Sequence, residues 1–155
     1  MVSHSGSAST PALRGNYVLL RADSLRLLLP QHEVGAAEYL ASPLQASDAA
    51  GILRQADDPA HRRFAALSAQ MTLLPQCPVN RFVLTTLGDD DDDLGWCWND
   101  IKVLIDIELR PQSVPAVLMA PYTPVDCFVD HDGEIAFLST AQRLRTYAFT
   151  SRSCA

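Results

Sequence analysis

Five consecutive aspartates, Asp89 to Asp93 in TTLGDDDDDLGWCWND, are the densest charge in the chain. Carboxylates in that number can bind a cation, attract a basic partner or solvate a loop. A calcium loop needs them at spaced offsets, with a glycine at the sharp bend and a closing bidentate acid. Adjacent side chains cannot all face one ion without contortion. The run also falls between two strand-like stretches, where connections lie on the surface. It is therefore expected to be a solvated hairpin tip, with docking of a partner as its only chemical use. A second acid-rich stretch, DCFVDHDGE, contains Asp126, Asp130, His131, Asp132 and Glu134. Its register puts Phe128 where an EF-hand needs its first ligand, so Asp132-Gly133 is expected to be a hairpin turn.

Other reactive residues form no catalytic pattern. Histidines stand at 4, 32, 61 and 131, and no GxSxG elbow or glycine-rich phosphate loop occurs. Cys77, Cys97, Cys127 and Cys154 include no CxxC pair, which leaves a structural zinc site without ligands at the required spacing. No catalytic, metal or cofactor residue is therefore nominated, and an enzyme is not the expectation.

The net charge of -6 argues against a sequence-independent nucleic-acid binder, which must neutralise phosphates with Lys and Arg. No apolar run reaches the length that spans a bilayer. The opening MVSHSGSASTPALRGN lacks the basic and apolar regions of a secretory signal. These features predict a cytoplasmic protein with free, mostly buried thiols. At 155 residues the chain suits one domain able to bury a core without staples.

The elements that must position these residues are mostly strands. Residues 1–14 are expected to be a mobile tail, 15–150 a single domain and 151–155 a frayed end. Tyr17–Leu20 and Leu25–Leu29 flank Asp23-Ser24 and predict a β-hairpin. Val34–Leu40 fits either a helical turn or a short strand. Between them and the aspartates the composition shifts to Ala, Leu, Gln and Arg. An acid before Pro59 has the form of an N-cap, and Phe64, Leu67 and Met71 recur at intervals of three and four. A helix over residues 59–70 is predicted, followed by a connector in LLPQCPVN. RFVLTTL and LGWCWNDIKVLIDI are then β-rich. Trp96 and Trp98 alternate, so one strand face carries both, and a core role is favoured over a binding hot spot. VDCFVDHDGEIAFLST predicts a second hairpin, and AQRLRTYAF a short closing helix or strand.

Several of these stretches together resemble CheW-like domains, the β-barrel adaptors of bacterial chemosensory arrays. GWCWNDI is similar to that family's G-L-x-V-D-x-V strand at Gly95, Trp96, Trp98 and Ile101, with Asn99 in place of the family's Asp. KVLIDIELRPQSVP follows as an aliphatic strand and a proline-containing stretch. DGEIAFLSTAQRL resembles the family's closing hairpin and helix, and YVLLRADSLRLLLPQHEV its opening hairpin, with Val34 at the family's valine. Nothing between Ala41 and Val79 matches the family's central R-G-x-h-h-P-h-h-D-L segment, where h is apolar. The resemblance implies a mainly β fold of paired small barrels, one reduced, with a helix inserted around residues 59–70. It also implies a non-catalytic adaptor that binds a chemosensory histidine kinase, a chemoreceptor or both. On that reading, Asp89, Asp90, Asp91, Asp92 and Asp93 form an acidic docking loop. The alternative from the residues alone is an accessory domain holding a small ligand in a barrel mouth, and a small enzyme comes third.

Overall fold

The opening hairpin forms where the two apolar runs flanking Asp23-Ser24 place it. β1 (Leu13–Ala22) runs antiparallel to β2 (Leu25–Pro30), with Asp23 taking a left-handed φ of 57° in the turn. Asp tolerates that region because its short polar side chain compensates locally. β1 starts at Leu13, so residues 13 and 14, expected in the tail, are strand, held by pairing to Leu109 and Glu108. The computed structural model describes residues 11–40, 44–46, 51–55, 62–88, 94–115 and 124–153.

A 3-10 turn, Gln31–Glu33, leads to β3 (Glu38–Tyr39). The short strands β4 (Leu44–Ala46), β5 (Leu53–Gln55) and β6 (Arg63–Ala66) follow. β7 (Val83–Thr86) and β8 (Leu94–Trp98) come next. β9 (Asp100–Leu109), β10 (Gln112–Ser113), β11 (Cys127–His131) and β12 (Glu134–Leu138) complete the strands. The chain closes on one helix, α1 (Ala141–Ser153), which takes in residues 151–153 of the expected frayed end.

These strands make two curled sheets of six strands each. The first runs β10-β11-β12-β2-β1-β9 and the second β3-β7-β8-β6-β5-β4. The protein is thus mainly β, as expected, but neither sheet closes into a barrel among the described residues. β9 and β10 are the edges of the first sheet, β3 and β4 of the second.

The predicted helix over residues 59–70 is absent from its described part. Arg63–Ala66 is strand β6, lying between β5 and a parallel β8, with Arg63 opposite Leu94 and Ala66 opposite Cys97. Phe64, Ala65 and Ala66 are all buried. A strand between two neighbours buries side chains on both faces, so its sequence loses the period-two alternation. The helix-favouring composition is a weak prior that this burial overrides. Gly95 makes the close β6–β8 approach possible: a Cβ there would stand 2.9 Å from Cδ1 of Phe64.

The main core lies between the sheets and under α1. Val18, Leu20, Leu27 and Leu29 from the first sheet meet Ala65, Trp96 and Trp98 from the second, with Ala141, Leu144 and Ala148 of the helix. Both tryptophans are fully buried and stacked, their ring centroids 6.2 Å apart. Trp98 Nε1 donates to Thr85 Oγ1 at 2.9 Å, whereas Trp96 Nε1 has no acceptor. Two smaller clusters fill the other faces: Leu19, Leu28, Leu104, Leu109, Val129 and Ala136 in the first sheet, and a group around Leu53, Phe64, Leu84 and Cys97 in the second.

LGWCWNDIKVLIDI, a single β-rich stretch in sequence, divides at Asn99 between the two sheets. The Asn99 backbone N–H donates to Arg21 O at 2.8 Å, and its Nδ2 donates to Asn80 O at 2.9 Å. Its Oδ1 accepts the Asp23 N–H. Beside this joint Arg81, 1% exposed, donates to Leu67 O at 2.6 Å and to Asp23 Oδ2 at 3.1 Å. An arginine buried here is tolerated because its fork reaches both a carboxylate and backbone carbonyls.

Candidate binding surfaces

The sequence-nominated site, Asp89–Asp93, lies outside the described residues. Its neighbours are described: β7 and β8 pair antiparallel, Thr86 opposite Gly95, so the aspartates connect these two strands. Trp96 and Trp98 are core residues rather than a surface hot spot, as their strand context predicts. Asp132 and Gly133 form the expected hairpin turn, with φ of 55° and 79°, the left-handed pair that a two-residue hairpin requires. Asp130 Oδ1 accepts the Gly133 N–H at 3.1 Å, which gives the acid beside it a turn role.

Two surfaces have the shape of binding sites. The first is the outer strand β9. It bonds to β1 on one side and, among the described residues, is the sheet edge on the other. Ile101, Val103 and Ile105 alternate along it and share a face. Ile101 packs against the main core, while Val103 is 48% and Ile105 61% exposed. Aliphatic side chains on a free edge favour association with another chain. Beyond Ile105 the edge is blunted. The register shifts between Gly15 and Tyr17, Asp106 takes a φ of 51°, and its N–H donates to Asn16 Oδ1 at 2.8 Å. Arg14 donates to both Asp106 carboxylate oxygens, at 2.9 and 3.2 Å. That pairing holds the Asp106 carboxyl below the usual carboxylate range.

The second is a cleft of about 260 Å³ where β1, β2 and β11 meet the start of α1. Leu13, Tyr17, Leu28 and Leu138 give it an apolar lining, which Asp126 and Arg143 share. Their ion pair measures 2.8 Å, with each side chain about half exposed. The guanidinium keeps the Asp126 carboxyl below its ordinary range, and burial pushes the adjacent Cys127 thiol up. The helix start itself is already occupied. Glu33 Oε1 accepts from the Ala141 N–H at 2.7 Å, and Thr140 Oγ1 caps the Arg143 N–H at 3.1 Å. Polar recognition in the cleft therefore falls to the Asp126–Arg143 pair.

Sequence reasoning nominated neither surface. β9 was legible as a strand, but its edge position depends on which strands pair. Asp126 and Arg143 are separated by a hairpin, and no spacing rule marks them. No protein-family model matches the chain, and no curated protein matches it either. Among the described residues, no helix is long and apolar enough to cross a membrane.

Proposed function

We propose that the chain is a non-catalytic adaptor domain that docks another protein along β9. The exposed Val103–Ile105 stripe on β9, an edge strand among the described residues, carries this reading. An unpaired edge supplies a row of backbone donors and acceptors, and the aliphatic pair supplies apolar area that favours complex formation. The bulge at Asp106 limits strand addition to residues 100–105. The resemblance to CheW-like domains names the partner class: the regulatory domain of a chemosensory histidine kinase, a chemoreceptor or both. The five aspartates would then raise the rate of encounter with a basic partner surface by electrostatic steering.

Calorimetry of the full chain against a chemosensory kinase regulatory domain from the same organism, at low and moderate salt, tests this. Saturable binding that Val103→Asp with Ile105→Asp abolishes supports it. Absence of binding by the folded wild-type protein removes the kinase from the reading. Replacing Asp89–Asp93 with Asn and Ser should slow association and flatten its salt dependence.

The cleft favours a second reading, an accessory domain for a small ligand. A mostly apolar concavity with a few converging polar groups is the common form of such a site. A ligand there would lay an apolar body on Tyr17, Leu28 and Leu138 and turn a polar end to Asp126 or Arg143. Ligand-induced NMR shifts at these residues, lost in Leu138→Arg, would support it over the adaptor.

A further inference from the structure

Asp126 and Arg143 bring opposite charges together within the lining of an otherwise mostly apolar cleft. Asp126 stands just before β11 and Arg143 in the first turn of α1, and their side chains meet at 2.8 Å. Both backbones are anchored. The Asp126 carbonyl accepts the Val114 N–H at 2.9 Å, and the Arg143 N–H donates to Thr140 Oγ1 at 3.1 Å. The Ser139 hydroxyl donates to Pro124 O at 2.9 Å, which ties the two segments to each other. The charges are thus held in place before any ligand arrives, and pre-organisation lowers the cost of binding.

Arg143 reaches Asp126 Oδ2 through Nη2. A guanidinium carries several N–H donors and a carboxylate several acceptor sites, so each partner has capacity for a further charged group. A ligand of one sign meets a conflict here. A carboxylate drawn to Arg143 comes up against Asp126, and an amine drawn to Asp126 comes up against Arg143; like charges at close range are costly. A ligand bearing both charges satisfies both partners at once, and its own charges must be adjacent because theirs are. An α-amino acid has that geometry, since its ammonium and carboxylate share one carbon, whereas a peptide carries them at opposite ends. The volume of about 260 Å³ lies just below the range of about 300–1,000 Å³ usual for ligand pockets, which suits a single amino acid. Leu13, Tyr17, Leu28, Pro30 and Leu138 around it suit an apolar side chain.

We infer that the cleft binds a free apolar α-amino acid, its carboxylate on Arg143, its ammonium on Asp126 and its side chain against Tyr17, Leu28 and Leu138. This rests on the reading of the cleft as a small-ligand site and names the class of ligand. Bound in this way, each of the four charges has a neighbour of opposite sign, and the net charge of the cleft is unchanged. Polar side chains are disfavoured, because the Ser139 and Thr140 hydroxyls are already engaged and a buried polar group without a partner is costly.

The test titrates the isotopically labelled full-length chain with L-leucine and L-phenylalanine and follows backbone amide NMR shifts. Isocaproate and isoamylamine, which are leucine without its ammonium and without its carboxylate, are run alongside. Saturable shifts at Asp126, Cys127, Leu138 and Arg143 are expected with an amino acid, and binding at least about tenfold weaker with each half-molecule. Asp126→Asn should weaken leucine binding and strengthen isocaproate binding, and Arg143→Gln should weaken leucine and strengthen isoamylamine. A merely structural ion pair would not exchange preferences in this way. Isocaproate or isoamylamine binding as tightly as leucine keeps the cleft as a small-ligand site and overturns the amino-acid assignment. No shift at these residues from any of the compounds overturns both. Because the first readout uses the wild-type fold, the result stands even where a variant fails to fold.

Discussion

The two sheets are built by opposite strategies. The first draws its centre from two hairpins with two-residue turns, β1–β2 and β11–β12, joined by a parallel contact between β12 and β2. The second has short strands, and its centre is the parallel pair β6–β8, whose members stand some thirty residues apart. Each hairpin of the first closes a short loop, and distant pairings, β12 with β2 and β1 with β9, then join them, whereas the second has no such hairpin at its centre and must close a long loop before β6 meets β8. Local chemistry sufficed to lay down the two hairpins of the first sheet. The other exists because the tryptophans, Phe64 and the buried arginine find partners across the fold.

Trp98→Ala and Leu28→Ala make the largest test of whether these halves form one cooperative unit. Each should cost about 3–5 and 2–5 kcal/mol respectively, as a large core side chain is removed. Urea unfolding followed by tryptophan fluorescence reports the second sheet, and far-UV circular dichroism reports both. Coincident transitions in both variants indicate one unit; a fluorescence transition separated from the dichroism would divide the sheets.

The parallel centre and the hairpin tip can be compared through their glycines. Gly95→Ala forces the Phe64 ring away and should cost about 1–3 kcal/mol by overpacking. Gly133 has nothing within 4 Å of an added Cβ, so Gly133→Ala pays only for its left-handed φ, about 1–2 kcal/mol. Equal midpoint losses would show that packing at β6–β8 is softer than the geometry indicates.

The stacked tryptophans offer a finer contrast. Trp98→Phe strands the Thr85 hydroxyl and should cost about 1 kcal/mol more than Trp96→Phe, which removes an unpaired N–H. Chemical denaturation of the two variants gives the difference directly, and a larger loss at position 96 would reverse the assignment.

The smallest effect belongs to Asp126. Its folded pKa is depressed by Arg143, so its contribution is present above the unfolded carboxylate value of about 3.9 and fades as pH falls through the folded value. With both partners half exposed, Asp126→Asn should cost less than about 1 kcal/mol at neutral pH. The gap from wild type should vanish in acid; a gap that persists there would assign the effect to something other than charge.

Legibility followed the same division. The β1–β2 turn at Asp23-Ser24 and the β11–β12 turn at Asp132-Gly133 were readable because apolar stretches and turn residues lie next to each other in the chain. The shared face of Trp96 and Trp98 was readable for the same reason. Arg63–Ala66 was misread as helix because its strand state depends on β8. The break at Asn99 was hidden because the residues on either side are equally β-prone, and only Asn80, Arg21 and Asp23 in space mark the crossing.

By itself, then, the sequence determined a mainly β chain with two tight hairpins and a buried tryptophan strand, since those features rest on neighbours a few residues apart. Tertiary structure alone decided that β9 is an edge, that Asp126 and Arg143 share a cleft, and that Cys77 packs onto the cluster around Cys97. Each of these is a pairing of segments distant in sequence, selected by burial of apolar surface and satisfaction of backbone hydrogen bonds over the whole molecule.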